Sequence, residues 1–209
     1  MPAIGITGGI STGKSTFCRC LRQLLPEARF FDADKAARLL TDEDAEVRAQ
    51  IGEMFGPKIY SEAGDLNRGA LRAIILESAA KRAALEQILH PRIRSQWSAE
   101  AQRYRNSPDF FFADIPLLYE TGGEILCDRV IVVACAPAIQ LQRLLARRSS
   151  GRSALTEGEA MSMIQAQMPL EEKVQRADHV IWNNDGESLL SEQALDLVNL
   201  WRTKSWKAK

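Results

Sequence analysis

Ala3-Ile4-Gly5-Ile6-Thr7 runs directly into Gly8-Gly9-Ile10-Ser11-Thr12-Gly13-Lys14-Ser15. The first five residues read as a short strand covered on both faces. The next eight fit the phosphate-loop pattern G-x-x-x-x-G-K-[ST], and Ser15 to Leu25 then reads as a helix. Strand, glycine-rich loop and helix in that order are the context the pattern requires. Glycine lets the backbone curl so that successive N–H groups face one point, which also receives the positive end of the helix dipole. Lys14 adds a mobile full charge for the β- and γ-phosphates, and the Ser15 hydroxyl is a hard oxygen ligand suited to Mg²⁺. The residues expected to cradle a nucleotide are Gly9, Ile10, Ser11, Thr12, Gly13, Lys14, Ser15 and Thr16.

Outward from this loop, four more short apolar runs read as strands: Arg29 to Asp32, Phe110 to Ile115, Arg129 to Ala134 and His179 to Trp182. They alternate with helical patterns, which predicts an α/β fold, a three-layer sandwich around a parallel sheet of roughly five strands. The alternation lapses after the second strand. Glu43 to Phe55, Arg68 to Leu89 and Pro91 to Arg103 fit amphipathic helices broken at Gly56-Pro57 and at His90-Pro91. This predicts one domain with a core of about 1–40, 106–136 and 177–203, a helical insertion of about 41–105 and a lid of about 137–170. In the lid, Ala138 to Arg148 carries Leu141, Leu144 and Leu145 on one stripe and Arg143 and Arg147 opposite. A polar break, Ser149 to Ser153, follows, and then Thr156 and Glu159 form a capping box. A last helix runs from about Glu187 to Thr203.

Composition narrows the function classes. The 209 residues hold 27 Lys plus Arg and 27 Asp plus Glu, with 45% apolar residues. That balance argues against a nucleic-acid-coating protein, and the basic end (Arg202, Lys204, Lys207, Lys209) reads as a solvated tail. No apolar run approaches the ~20 residues that span a bilayer, and Ile4 to Thr7 is too short for a signal-peptide core. A cytoplasmic chain acting on a small molecule is expected, with no nucleic acid or membrane as partner; the oligomeric state is left open. Cys18, Cys20, Cys127 and Cys135 form no disulfide framework or zinc spacing and are expected as reduced thiols.

Three carboxylates stand where strands end. Asp32 and Asp34 follow the second strand, and residues two apart in an extended chain share a face, so one could act as base and one near Mg²⁺. An Asp after a strand also caps the helix that follows, and for these two both uses are open. Asp114 ends the third strand, as the acid near Mg²⁺ does in many phosphate-loop proteins, with a cap or a turn as its alternative use. Arg143, Arg147, Arg148 and Arg152 cluster around the lid, where arginine can neutralise charge on a transferring phosphoryl group.

These residues resemble the dephospho-coenzyme A kinase family over nearly the whole chain. The likeness is carried by Ile6 to Ile10, Asp32-Ala33-Asp34, Gly64-x-Leu66-Asn67-Arg68, His90-Pro91, Pro116 to Glu120, Gln140 to Arg143, Gln167 to Lys173, Ala177-Asp178 and Asn183-Asn184. It implies transfer of the γ-phosphoryl of ATP to the ribose 3′-hydroxyl of dephospho-coenzyme A, with Mg²⁺. It also implies Asp34 as general base, Lys14, Arg143 and Arg147 on the phosphates, and the insertion as the acceptor wall. Asp32, Leu66, Arg68, His90, Pro91, Pro116, Leu117, Tyr119 and Glu120 are then the expected acceptor residues. Two positions depart from the usual pattern: Ser11-Thr12 replaces Gly-Ser, and Arg148 stands where an Asp often follows. Another small-molecule or nucleoside monophosphate kinase is the alternative; a GTPase switch is disfavoured because no [NT]-K-x-D motif occurs.

Overall fold

The computed structural model describes residues 3–147 and 155–203. The expected polar break at Ser149 to Ser153, together with Arg148, Arg152 and the lysines of the tail, lies outside the described residues. The chain begins β1 (Ala3–Gly8), α1 (Lys14–Leu24), β2 (Arg29–Asp32), α2 (Ala33–Glu43), α3 (Ala45–Phe55), α4 (Arg68–Glu77), α5 (Ala79–Tyr104). It continues β3 (Phe111–Asp114), β4 (Arg129–Ala134), α6 (Pro137–Ala146), α7 (Glu157–Gln165), α8 (Leu170–Arg176), β5 (His179–Trp182), α9 (Glu187–Thr203). Two compact units result, one of Met1–Phe31 with Glu100–Lys209 and one of Asp32–Ala99.

The strand order is β2-β3-β1-β4-β5. β1 runs parallel to both β3 and β4, with Gly5 opposite Ala113 and Val130, and β4 runs parallel to β5. Every residue of β1 and β3 is buried, as their uninterrupted apolar character requires when helices cover both faces. The resulting α/β sandwich is the expected fold. Ile4, Ile6, Phe112 and Ile131 of the sheet share a core with Phe17 and Leu21 of α1 and with Leu190, Val198 and Trp201 of α9. Burying an aliphatic or aromatic side chain this fully contributes about 1.5–3 kcal/mol. All parallel strands point their carboxyl ends the same way, so the loops after β1, β3, β4 and β5 gather at one end.

The smaller unit has its own core of Leu40, Val47, Ile51, Ile59, Leu71 and Ile88. Its helix boundaries correct the sequence reading in three places. Asp44 interrupts the helix expected from Glu43, because its carboxylate caps α3 by accepting from the Val47 N–H at 2.9 Å. Ser78 splits the helix expected from Arg68 to Leu89. It is extended, and its hydroxyl accepts from the Lys81 N–H at 3.2 Å, starting α5. The break expected at His90-Pro91 does not occur: Pro91 lies inside α5. A mid-helix proline removes one hydrogen bond and disturbs the carbonyls of the preceding turn. Here the Arg92 guanidinium donates to the Ile88 carbonyl at 2.8 Å, and Ile88 is buried, so side-chain bonding and packing hold the helix through the proline.

Asp32 is the N-cap of α2, its carboxylate accepting from the Lys35 N–H at 2.9 Å. Asp34 already stands in the first turn of that helix. The extended geometry that was to put both acids on one face therefore ends at Asp32, because capping turns the chain at once. Asp32→Ala is expected to lower stability by about 1 kcal/mol, the usual worth of such a cap; a thermal melt would measure it. No helix among the described residues is long and apolar enough to cross a membrane.

Candidate active site

The loop between β1 and α1 is held open by its glycines and tied down by its neighbours. Gly13 is the N-cap of α1 at φ 100°, and neither a side-chain cap nor a first-turn acid covers that helix end. The first N–H groups of α1 thus face outward with the dipole behind them, a ready anion site. A Cβ on Gly13 would lie 2.0 Å from Asn183 Nδ2, which donates to the Thr12 carbonyl at 2.8 Å. Gly13→Ala should therefore cost about 1–3 kcal/mol of stability through left-handed strain, besides displacing Asn183. A melting curve paired with an ATP titration would check this, and an unchanged curve would contradict it.

Lys14 projects to the end of β3, where its ammonium is ion-paired with Asp114 Oδ1. The Asp114 side chain is 7% exposed, and Cys18 Sγ donates to its other oxygen at 3.3 Å. Burial, seconded by the Asp114 charge, holds the Cys18 thiol well above its ordinary range. Cys18 is thus an inert donor, and all four cysteines are free thiols. Ser15 stands exposed at the second position of α1, and Thr16 lies beside it. Among the described residues no group of three or more His, Cys, Asp or Glu forms a metal cage.

Beside the loop, Gly13, Thr16, Arg143, Asn183, Gly186 and Leu190 line a cavity of about 260 Å³. Arg143 enters it half-buried, donating to the Asn183 carbonyl at 2.7 Å. Arg147 is not among the residues lining that cavity, and the helix expected to run to Arg148 ends before it. α6 stops at Ala146, and Arg147 is its exposed, extended C-cap. The capping box of Thr156 and Glu159 forms as read.

Pro116, Leu117, Tyr119 and Glu120 follow β3 in a turn fastened from two sides. The Pro116 carbonyl accepts from the Thr7 hydroxyl at 2.9 Å and from Lys173 Nζ at 3.0 Å. The Lys173 side chain is 0% exposed, and its ammonium also meets Glu120 Oε1 at 2.8 Å. Burial pulls its pKa down while Glu120 opposes the fall. Glu120 accepts from the Met168 N–H as well. The Leu117 carbonyl accepts from the Thr121 hydroxyl at 2.8 Å. Tyr119 is buried under the Arg176 guanidinium, 4.4 Å from its ring centre, and burial pushes its phenol up to about 12.

In the smaller unit, Leu66 and Arg68 line a cleft of about 180 Å³ with Arg38, Arg72, Leu71 and Leu89. Its lining is mostly apolar, and three arginines contribute to it. Arg68 is further paired with Asp42 at 2.6 Å. His90 and Pro91 follow Leu89 on α5 and do not line the cleft.

Four residues with structural hold on the site were not singled out for it by the sequence: Gln140, Gln167, Lys173 and Asn183. Each lies in a quoted motif, but only the fold shows that they grip the loop and the turn. A polar residue inside an otherwise apolar stripe, as Gln140 is on α6, was the available signal.

A family model described as dephospho-CoA kinase matches residues 2–188. The dephospho-CoA kinase of Bacillus cereus (strain ATCC 10987 / NRS 248) is 38% identical over 204 residues, covering 97% of this chain and 96% of that one. Among solved structures, TT1252 from Thermus thermophilus superposes with a TM-score of 0.76 at 31% identity, covering 98% of both chains. Dephospho-CoA kinase from Campylobacter jejuni gives 0.65 at 26% identity, covering 95% of this chain and 96% of that one. With the loop, the strand-end acid and the sheet order already in place, these likenesses decide the family: the chain belongs to the dephospho-CoA kinases.

Proposed function

We propose that this chain uses Asp34 to take the proton of the ribose 3′-hydroxyl of dephospho-CoA while the 8–15 loop presents the γ-phosphoryl of ATP. The overall reaction, ATP plus dephospho-CoA to ADP plus CoA, is that of its family and completes CoA synthesis. The observation that carries the nucleotide half is the uncapped start of α1 beside the Lys14–Asp114 pair.

Phosphoryl transfer through a loose transition state asks the protein mainly for positioning and charge. Backbone N–H groups of the 9–16 segment other than those of Ile10 and Thr12, which are bonded within the protein, receive the phosphates. Lys14 moves onto the β- and γ-oxygens, and Arg143 and Arg147 add charge from α6 and its C-cap. The cavity lined by Thr16, Asn183 and Leu190 accepts the base. The Ser15 hydroxyl and the Asp114 carboxylate fit Mg²⁺, a cation that takes one or two protein oxygens and completes its shell from phosphate and water. When bound, that ion neutralises charge on the β- and γ-oxygens.

For the acceptor, Asp34 follows the carboxyl end of β2, the side of a parallel sheet where ligands bind. The cleft with Leu66, Arg38, Arg68 and Arg72 suits a substrate that combines an apolar arm with phosphates. Asp32, His90, Pro91, Pro116, Leu117, Tyr119 and Glu120 complete the proposed acceptor set. Asp32 and Glu120 act by holding backbone, since both are engaged in caps or ion pairs. A cytoplasmic location is part of this reading, in keeping with a reaction that consumes ATP and a small-molecule acceptor.

Incubating the protein with dephospho-CoA, ATP and Mg²⁺ should yield CoA, a mass increase of one phosphoryl group. Rapid ADP release with a nucleoside monophosphate and none with dephospho-CoA would select the alternative kinase reading.

A further inference from the structure

Ile10 is gripped on both of its peptide groups. Its N–H donates to Gln167 Oε1 at 2.8 Å, and its carbonyl accepts from Gln140 Nε2 at 2.9 Å. Gln140 comes from α6 and is 4% exposed. Gln167 comes from the turn between α7 and α8, where its own N–H is tied to the Ile164 carbonyl at 3.2 Å. A Cβ on Gly9 would stand 2.6 Å from Gln140 Nε2, so the glutamine lies directly against the loop backbone. The following residue, Ser11, has φ 60° and is the one non-glycine residue with positive φ among the described residues. Beyond it, the Thr12 N–H and hydroxyl both bind the Gly9 carbonyl, at 3.3 and 2.9 Å.

We infer that Gln140 and Gln167 are positioning residues for ATP, which impose the left-handed turn at Ser11 on the phosphate loop. The argument is one of planes. A peptide unit is rigid, so a chain adjusts only at φ and ψ. The Ile10 N–H and carbonyl belong to the two peptide planes either side of its Cα, and the glutamines fix both. Thr12 fixes the plane beyond Ser11. The torsions of Ser11 alone are left to join fixed plane to fixed plane, and they close in a region an L-residue avoids. Such a conformation persists only where its surroundings over-determine it. Glycine would hold the same turn at little cost, without the grip. In this chain the two glutamines hold Ser11 in a turn that glycine would adopt freely.

This rests on reading residues 8–15 as the ATP loop, and the test separates the two. Calorimetric titration of ATP with Mg²⁺ into the full chain compares Gln167→Met in the native background and in a Ser11→Gly background. Loss of one hydrogen bond that sets loop shape should weaken ATP binding about five- to tenfold in the native background. In the Ser11→Gly background the same change should cost less than about twofold by the same reasoning. The KM for dephospho-CoA should not follow the loss in ATP affinity, whereas general destabilisation would move both. Gln140→Met, which removes the grip on the carbonyl instead, repeats the cycle if Gln167→Met melts too early to titrate. Equal losses in both backgrounds, or no loss in either, would overturn the inference while leaving the nucleotide reading in place. A wild-type chain that bound no ATP would overturn both.

Discussion

Lys14→Ala is expected to lower turnover about 10²- to 10³-fold, the range seen when one pre-placed donor to developing charge is removed. That is about 3–4 kcal/mol of transition-state stabilisation. The structure shows why the effect should fall on the chemistry. Lys14 belongs to the first turn of α1, so its backbone N–H stays at the anion site when the side chain is cut. What is lost is the mobile charge, now ion-paired with Asp114 at the end of β3. A phosphate entering beside that pair offers the ammonium a second anionic partner, and the alanine variant has nothing to move. The same substitution strips the largely buried Asp114 of its cation, leaving Cys18 as a weak donor on the other oxygen. A lower melting temperature should accompany the rate loss, because an uncompensated buried carboxylate is costly. Steady-state rates measured well below the variant's melting temperature separate the two effects. Turnover within about fivefold of wild type under those conditions would remove Lys14 from the mechanism, since it would leave only about 1 kcal/mol to assign.

The five strands were legible because each is an apolar run bounded by polar or turn residues. Each falls within a residue of its expected limits. The phosphate loop was legible because its demands on residue type are local: small residues where the backbone must curl, one lysine, one hydroxyl. The helical unit was less so. At Pro91 a local rule was outvoted by the Arg92 bond and the burial of Ile88. At Asp44 and Ser78 a capping side chain cut a helix that apolar spacing alone would have continued. The end of α6 was set too late for a related reason, since periodicity cannot tell where a helix unwinds, and Arg147 is its C-cap. The hidden part of the site is its bracing. Gln140, Gln167, Lys173 and Asn183 act through partners 40 or more positions away in sequence. No spacing pattern reports contacts of that kind.

Asp34→Asn is expected to reduce the rate of the chemical step about 10²-fold or more, the scale of general-base catalysis, with ATP affinity within about twofold of wild type. Asparagine keeps the size of the side chain and removes its charge and its capacity to take a proton. The cost in stability should be small. Asp34 is a first-turn acid of α2, and losing its favourable interaction with the helix dipole is worth about 0.3–1 kcal/mol. The cap of α2 belongs to Asp32 and survives. This separates the two neighbouring acids: a change at Asp32 acts first on melting temperature, and one at Asp34 acts first on rate. Single-turnover measurement with ATP and acceptor saturating isolates the proton-transfer step from binding. If ATP affinity instead falls in parallel with the rate, Asp34 is holding the metal–nucleotide complex. The base must then be sought elsewhere.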